Sequence, residues 1–382
     1  MMIKKIINSA CFRKSLRFEK SFKEIGRRNY SKEQKISYPK RIFSGIQPTG
    51  NVHLGNYLGA IQNWIDLQNS GEDVIWSIVD MHSITLPQDP KELKRSIFSM
   101  VATLLACGVD PKKSILFQQS TVPMHAELCW ILGSITTIPR LGRLPQYKEK
   151  SATVKDVPLA LFIYPVLQAA DILIYKATHV PVGEDQVQHL ELCQDLARKF
   201  NSTFGETFPV PTTIISNDAK RIKSLRDPNS KMSKSCPDSK SRLDLIDEPK
   251  VLLNKVKKSV TDFTSEVTYD PKNRPGVANL VKIHSLLTGK SPEKICEEAQ
   301  GIDTGRYKLV LADVVIEKLN PIRERILQLL SEKQYLEQIL KEGAEKATAI
   351  ATPNLFEIRE KIGFGNENLI LEMPRRLREK RA

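Results

Sequence analysis

The chain has 382 residues, of which 41% are hydrophobic and 27% charged, with a formal net charge of +14. These proportions exclude a disordered chain and a membrane chain, and the length exceeds what one hydrophobic core usually organises. The charge is uneven: residues 1–41 hold thirteen Lys/Arg and three Glu, a net of 13 − 3 = +10, which leaves 14 − 10 = +4 for the rest.

The first segment mixes Ile6, Ile7, Phe12, Leu16 and Phe22 with Lys4, Lys5, Arg13, Lys14, Arg17 and Lys20, without a long apolar core. A basic, serine-containing, acid-poor head of this kind reads as a mitochondrial transit peptide, with a basic RNA-binding arm as the other reading. Arg27-Arg28-Asn29-Tyr30-Ser31 resembles a matrix-protease cleavage pattern. Residues 1–40 are therefore expected to be transit peptide and linker, and the mitochondrial matrix is the expected location.

From Arg41 onward strands and helices alternate. Arg41–Ile46 reads as a strand, about His53 to Leu67 as a helix, Asp73–Val79 as a Val/Ile-rich strand, and Lys91–Cys107 as a helix. Ser114–Phe117 is a short strand, further helices run to Tyr175, Val180–Val182 ends another strand, and Asp185–Phe200 is helical. Such alternation predicts a parallel sheet covered by helices on both faces, with ligands bound beyond the carboxyl ends of the strands. After about Asp227 the strand signal fades. Leu311, Val315, Leu319, Ile322, Ile326 and Leu329 form one helical stripe, expected to bend or break at Asn320-Pro321. The expected division is 41–227 for an α/β catalytic domain and 228–382 for a mostly helical one. The basic run Arg375–Arg381 reads equally as a solvated tail or an RNA contact.

Six cysteines at irregular gaps form no C-x-x-C pair, which argues for a reducing compartment and against a structural zinc site. No run reaches the roughly 20 apolar residues that would span a bilayer. Gly289-Lys290-Ser291 mimics half a P-loop, but His284 stands where the upstream glycine belongs.

Two short segments carry chemistry. In Phe43–Asn56 a strand ends in a Gly/Pro-rich turn and a helix starts at His53-Leu54-Gly55-Asn56. A helix start offers free N–H groups to an anion, His53 can donate to a phosphate, and Gly55 allows close approach. In Lys231-Met232-Ser233-Lys234-Ser235, preceded by Asp227-Pro228-Asn229, two lysines three apart lie on a loop that can wrap a triphosphate. A third feature is Tyr164, Gln168, Asp171 and Tyr175, spaced four, three and four, a polar stripe on an otherwise apolar helix. A buried Asp171 needs a partner, either a ligand donor such as an indole N–H or a donor within the protein.

His53–Asn56 resembles the HIGH motif of class I aminoacyl-tRNA synthetases, and Lys231–Ser235 is identical to their KMSKS motif. The wider resemblance, from Ile42 to Lys361, is to tryptophanyl-tRNA synthetases. It implies an α/β fold, a Rossmann-type parallel-sheet catalytic domain with a C-terminal helical anticodon-binding domain, in a homodimer. It also implies activation of L-tryptophan by ATP, followed by transfer to tRNA(Trp), with no tightly bound cofactor and Mg2+ arriving with ATP. Carried over residue by residue, Gln47, His53, Gly55 and Asn56 would contact ATP. Gly183 and Asp185 would hold the ribose, Glu184 would also contact ATP, and Ile222 and Met232 would flank the adenine. Lys150, Lys231 and Lys234, with Ser233 and Ser235, would serve the phosphates. Lys231, Lys234, Lys150, Gln47 and His53 would be catalytic. Phe43, Gly45, His82, Tyr164, Gln168, Asp171, Val180 and Val182 would line the tryptophan pocket, and Gln186 would stand between the substrates. Two other readings are a tyrosine-specific synthetase and a silent RNA-binding paralogue. Phe43–Asn56 and Gly183–Gln186 favour tryptophan, whereas Gln168 departs from the methionine of many bacterial tryptophan enzymes. Lys231 and Lys234 favour catalysis.

Overall fold

A computed structural model describes residues 37–145, 147, 156–183, 186–215, 222–234 and 236–365. Residues 1–36 of the expected transit segment and linker, and the basic C-terminal run, lie outside the described residues. Five strands form one parallel sheet: β1 (Arg41–Ile46), β2 (Asp73–Ile78), β3 (Ile115–Gln118), β4 (His179–Val182) and β5 (Thr212–Ile215), in the order β3-β2-β1-β4-β5. The chain builds outward from β1 through β2 to β3, then crosses back to lay β4 and β5 on the other side. The order therefore reverses between β1 and β4, and a crevice opens at the carboxyl ends of those strands.

The side-chain period of two assigns alternate residues to the two faces. Ile42, Val74, Trp76 and Leu116 enter one apolar core, and Phe43, Ile75 and Phe117 enter the other. On the first face Trp76 stacks on Trp64 of the helix after β1, with ring centroids 4.6 Å apart. Residues apolar in both directions explain why β2 is buried along nearly its whole length.

That helix begins at Leu54, one residue after His53, passes through a π-helical turn at Tyr57–Ile61 and continues as Gln62–Asn69. Pro90–Cys107 shows how local sequence fixes an element. Asp89 caps its start by accepting from Lys91 N and Glu92 N, Pro90 occupies the first turn, and Gly108 ends it at φ 112°. The helix after β4 runs Val187–Phe204, later and longer than the sequence pattern suggests. Strand β5 has no counterpart among the elements expected from the sequence.

The expected break at Pro321 is not there: Thr304–Ser331 is one helix with Pro321 inside it. Pro321 and Glu317, whose carbonyl loses its partner, are both exposed, so water can take up the freed group. The last helix, Lys333–Ile362, contributes Leu336, Ile339 and Leu340 to the first core, and Ala347, Ala351, Leu355 and Ile358 to the second. Between them Gly343 lies against the edge strand β3, where an added Cβ would sit 1.8 Å from the Leu116 carbonyl oxygen. This helix thus covers an edge that would otherwise be open to pairing. Among the described residues no helix is long and apolar enough to cross a membrane.

Candidate active site

At the reversal point a cavity of about 600 Å³ opens between β1, β4 and the Leu159–Leu173 helix. Phe43, Gly45 and Gln47 line it from β1 and the following turn, and Val180, Val182 and Gly183 from β4. Tyr164, Gln168 and Asp171 line it from the helix, and His82 and Gln186 complete it. All nine residues expected for the amino-acid pocket are thus brought together, with Gln47 and Gly183 of the ATP set beside them. Asn63, Trp64, Val79 and Ile172 also line the cavity, and no sequence signal pointed to them. Gly45 has a packing reason as well, since a Cβ there would stand 2.8 Å from Val79 Cγ1.

Asp171 is 1% exposed and finds its partners within the protein. Oδ1 accepts from His125 Nδ1 at 2.6 Å and Gln119 Nε2 at 2.7 Å, and Oδ2 from His82 Nε2 at 2.8 Å. Burial pushes this carboxyl up, but the bonds from His125 and His82 outweigh burial and hold it well below the usual carboxylate range. His125 passes the chain on to Tyr175 Oη at 2.8 Å. Of these partners sequence reasoning singles out only His82 and Tyr175. Wholly buried His125, 46 positions away in sequence, carries no local signal. Tyr175 itself lies just past the end of the helix.

A second network runs along the same wall. Tyr164 Oη lies 3.2 Å from His189 Nε2, and His189 Nδ1 lies 3.1 Å from Gln186 Oε1. Because an amide oxygen only accepts, His189 carries its proton on Nδ1 and Tyr164 donates to Nε2. Gln168 Nε2 reaches the same Gln186 Oε1 at 3.5 Å. Gln168 is thus tied to Gln186, a bond that methionine could not make.

Several of the remaining ATP candidates meet at or near the helix start. His53 is buried, and its Nδ1 accepts from Asn56 N at 3.3 Å while Asn56 Oδ1 accepts from His53 N at 3.4 Å. Burial, then Lys234, Arg242 and Lys231, push the His53 pKa down to about 3. The ring is therefore neutral at physiological pH, and with Nδ1 accepting, Nε2 holds the proton as a donor. A Cβ on Gly55 would meet the His53 ring at 3.0 Å and Ile222 Cγ1 at 3.5 Å. Ile222 and Met232 are both buried, joined by the bond from Met232 N to Ile222 O at 3.4 Å. Lys234 Nζ donates to Thr49 O at 3.0 Å, linking the lysine loop to the turn after β1. Burial lowers its pKa to about 8, against an upward pull from Asp244. Lys231 is exposed. Ser233 lies on the same loop, whereas Lys150, Glu184, Asp185 and Ser235 lie outside the described residues. Among the described residues, no three His, Cys, Asp or Glu side chains are grouped to hold a metal ion.

A doubly wound parallel sheet with a cavity at its reversal point, a helix start carrying a neutral histidine donor and a loop with two lysines define a nucleotide-handling α/β enzyme. Residues 35–320 match the family model described as tRNA synthetases class I (W and Y). The chain is 47% identical over 325 residues to the tryptophan–tRNA ligase of Caldanaerobacter subterraneus, covering 85% of this chain and 98% of that one. It is 47% identical over 327 residues to that of Gloeobacter violaceus, covering 85% and 97%. The solved tryptophanyl-tRNA synthetase of Campylobacter jejuni, complexed with ADP and tryptophan, superposes with a TM-score of 0.76 at 35% identity, covering 85% and 99%. The chain belongs to the class I tRNA synthetase family of tryptophan and tyrosine enzymes.

Proposed function

We propose that the chain is a tryptophan–tRNA ligase: it activates L-tryptophan with ATP to the adenylate and then loads tRNA(Trp). The observation that carries this reading is the meeting of all nine amino-acid-pocket residues in one cavity, next to the histidine donor and the lysine loop. The tryptophan carboxylate attacks the α-phosphorus in line and pyrophosphate leaves, so no protein nucleophile is required. The chain's own work is to orient the reactants and stabilise charge on the leaving group. His53 donates from Nε2, and Lys231, Lys234 and Lys150 are assigned to serve the phosphates. Ile222 and Met232 form an apolar bed for the adenine beside Gly55, while Gly183 and Asp185 hold the ribose. Mg2+ comes as part of the MgATP substrate. In the pocket, an ionised Asp171 aligned by His82 and His125 accepts from the indole N–H.

The proposed assembly is a homodimer. Trp130, Ile138 and Leu159 are 78, 75 and 71% exposed, on three neighbouring helices, Met124–Ile135, Ile138–Gly142 and Leu159–Leu173. Large exposed apolar side chains on neighbouring helices suit a self-complementary interface. The head of residues 1–40 supports a mitochondrial matrix location, 41–227 serve as the catalytic region, and 228–382 carry the catalytic lysine loop followed by the anticodon-binding helices. Charging of a tRNA(Trp) transcript with labelled tryptophan tests the proposal. Accumulation of tryptophanyl-tRNA is expected, and failure to charge any tRNA with active folded protein would refute it.

A further inference from the structure

We infer that Lys255 is a positioning residue for both proposed ATP-binding loops, acting through the irregular segment 241–247; this rests on the proposed role of those loops in holding ATP. Lys255 lies on the Pro249–Lys257 helix and is 5% exposed. A lysine ammonium is seldom buried without a paired charge, because removing it from water is costly. Its Nζ stands 2.5 Å from Asp247 Oδ2 and 3.9 Å from Asp244 Oδ2. Arg242 Nε stands 3.2 Å from Asp244 Oδ1, so two cations and two carboxylates balance in one cluster. Asp247 Oδ2 also accepts from the Asp244 amide at 2.9 Å. Beyond the single bridge at Asp244, the segment 242–247 has no helix or strand of its own, so side-chain charges do the anchoring that a ladder would do elsewhere.

This segment grips both loops. Toward the helix start, Leu54 N donates to Leu243 O at 2.7 Å and Leu245 N donates to Val52 O at 2.9 Å. These two bonds bracket the antiparallel bridge between His53 and Asp244. Toward the lysine loop, Leu225 N donates to Ser241 O at 2.9 Å, closing the base of the excursion that carries Lys231 and Lys234. Arg242 Nη1 then holds the loop's exit through Cys236 O at 2.9 Å. The spacing between the histidine donor and the two lysines is thus set by a segment that Lys255 fixes from behind. Lys255 does not line the 600 Å³ cavity. With its ammonium buried against Asp247, its effect on catalysis passes through the segment 241–247.

The test is ATP–pyrophosphate exchange by the full chain carrying Lys255→Met, the milder Lys255→Gln, or the charge-keeping Lys255→Arg, with tryptophan binding measured by equilibrium dialysis. For Met and Gln, kcat/KM for ATP should fall roughly ten- to a hundredfold, the effect of misplacing reacting groups by about an ångström. The Kd for tryptophan should stay within about twofold, as for independent sites. Lys255→Arg should recover most of the loss. Unchanged ATP kinetics in both Met and Gln variants would overturn the inference. So would a parallel loss of tryptophan binding, which would make Lys255 a purely structural residue. A wild-type chain inactive in the same assay would instead refute the synthetase reading.

Discussion

At the scale of single residues, the charge states of His53, Asp171 and Lys234 follow from their surroundings. Lys234 is a partly buried cation with a pKa near 8, and its proposed work requires the charged form. As pH rises through that value the ammonium loses its proton. In the free enzyme, kcat/KM for ATP should therefore decline above about pH 8, and Lys234→Arg should move that decline to higher pH whatever its absolute rate. Lys234→Ala should cost about 3–4 kcal/mol of transition-state stabilisation, the loss seen when a comparable charge-stabilising donor is removed. Near-normal exchange in that variant would exclude the assignment. Asp171→Ala removes the acceptor for His125, Gln119 and His82 together with the proposed indole contact. It should lower kcat/KM for tryptophan about ten- to a hundredfold, and thermal melting should fall with it. Gln168→Met loses only the long bond to Gln186, so both quantities should change far less. An equal loss from the two substitutions would contradict the roles assigned to Asp171 and Gln168. Asp171 is legible in the sequence because a lone carboxylate on an apolar helix demands a partner. Which partner is not legible, since His82, Gln119 and His125 reach it from 89, 52 and 46 positions away.

At the scale of elements, periodicity and caps explain what is readable and what is not. β1 is legible with its observed bounds and β2 to within one residue, because strands buried on both faces are continuous apolar runs between polar turns. β5, Thr212-Thr213-Ile214-Ile215, is not, because four residues after a proline-rich stretch carry too little pattern. At Pro321 the sequence suggests a bend or a break, and the break does not occur. A proline on a solvent-facing turn loses one hydrogen bond without ending the helix, and the sequence alone does not show which way that turn faces. Helix packing against the sheet yields its own prediction. Gly343 lets the Lys333–Ile362 helix touch the backbone of β3, and a methyl group would overlap the Leu116 carbonyl at 1.8 Å. Gly343→Ala should destabilise the fold by about 1–3 kcal/mol, despite alanine's better helix propensity. A melting temperature equal to or above wild type would show that the helix does not bear on the sheet edge there.

At the scale of the whole molecule, the proposed dimer and import signal are separable from the chemistry. Trp130→Glu, at the most exposed of the three apolar side chains, should convert a dimer to a monomer by light scattering with little change in melting temperature. A wild-type monomer would remove the proposed interface. Residues 1 to about 30 should carry a fused reporter into mitochondria and be dispensable for charging; retention in the cytosol would remove the transit reading. The choice of amino acid is the central question. The family includes tyrosine as well as tryptophan enzymes, so the pocket has to decide between the two. Asp171, His82, Phe43, Val180 and Val182 line the cavity, and the proposed ligand there is a fused two-ring side chain whose one N–H donates to Asp171. Tyrosine brings a hydroxyl at a different position, and phenylalanine leaves the carboxylate without a ligand donor. ATP–pyrophosphate exchange, measured on the purified chain with each amino acid in turn, tests this most directly. Exchange should depend strongly on tryptophan and be weak with tyrosine and phenylalanine, whereas equal or greater exchange with tyrosine would contradict the tryptophan assignment.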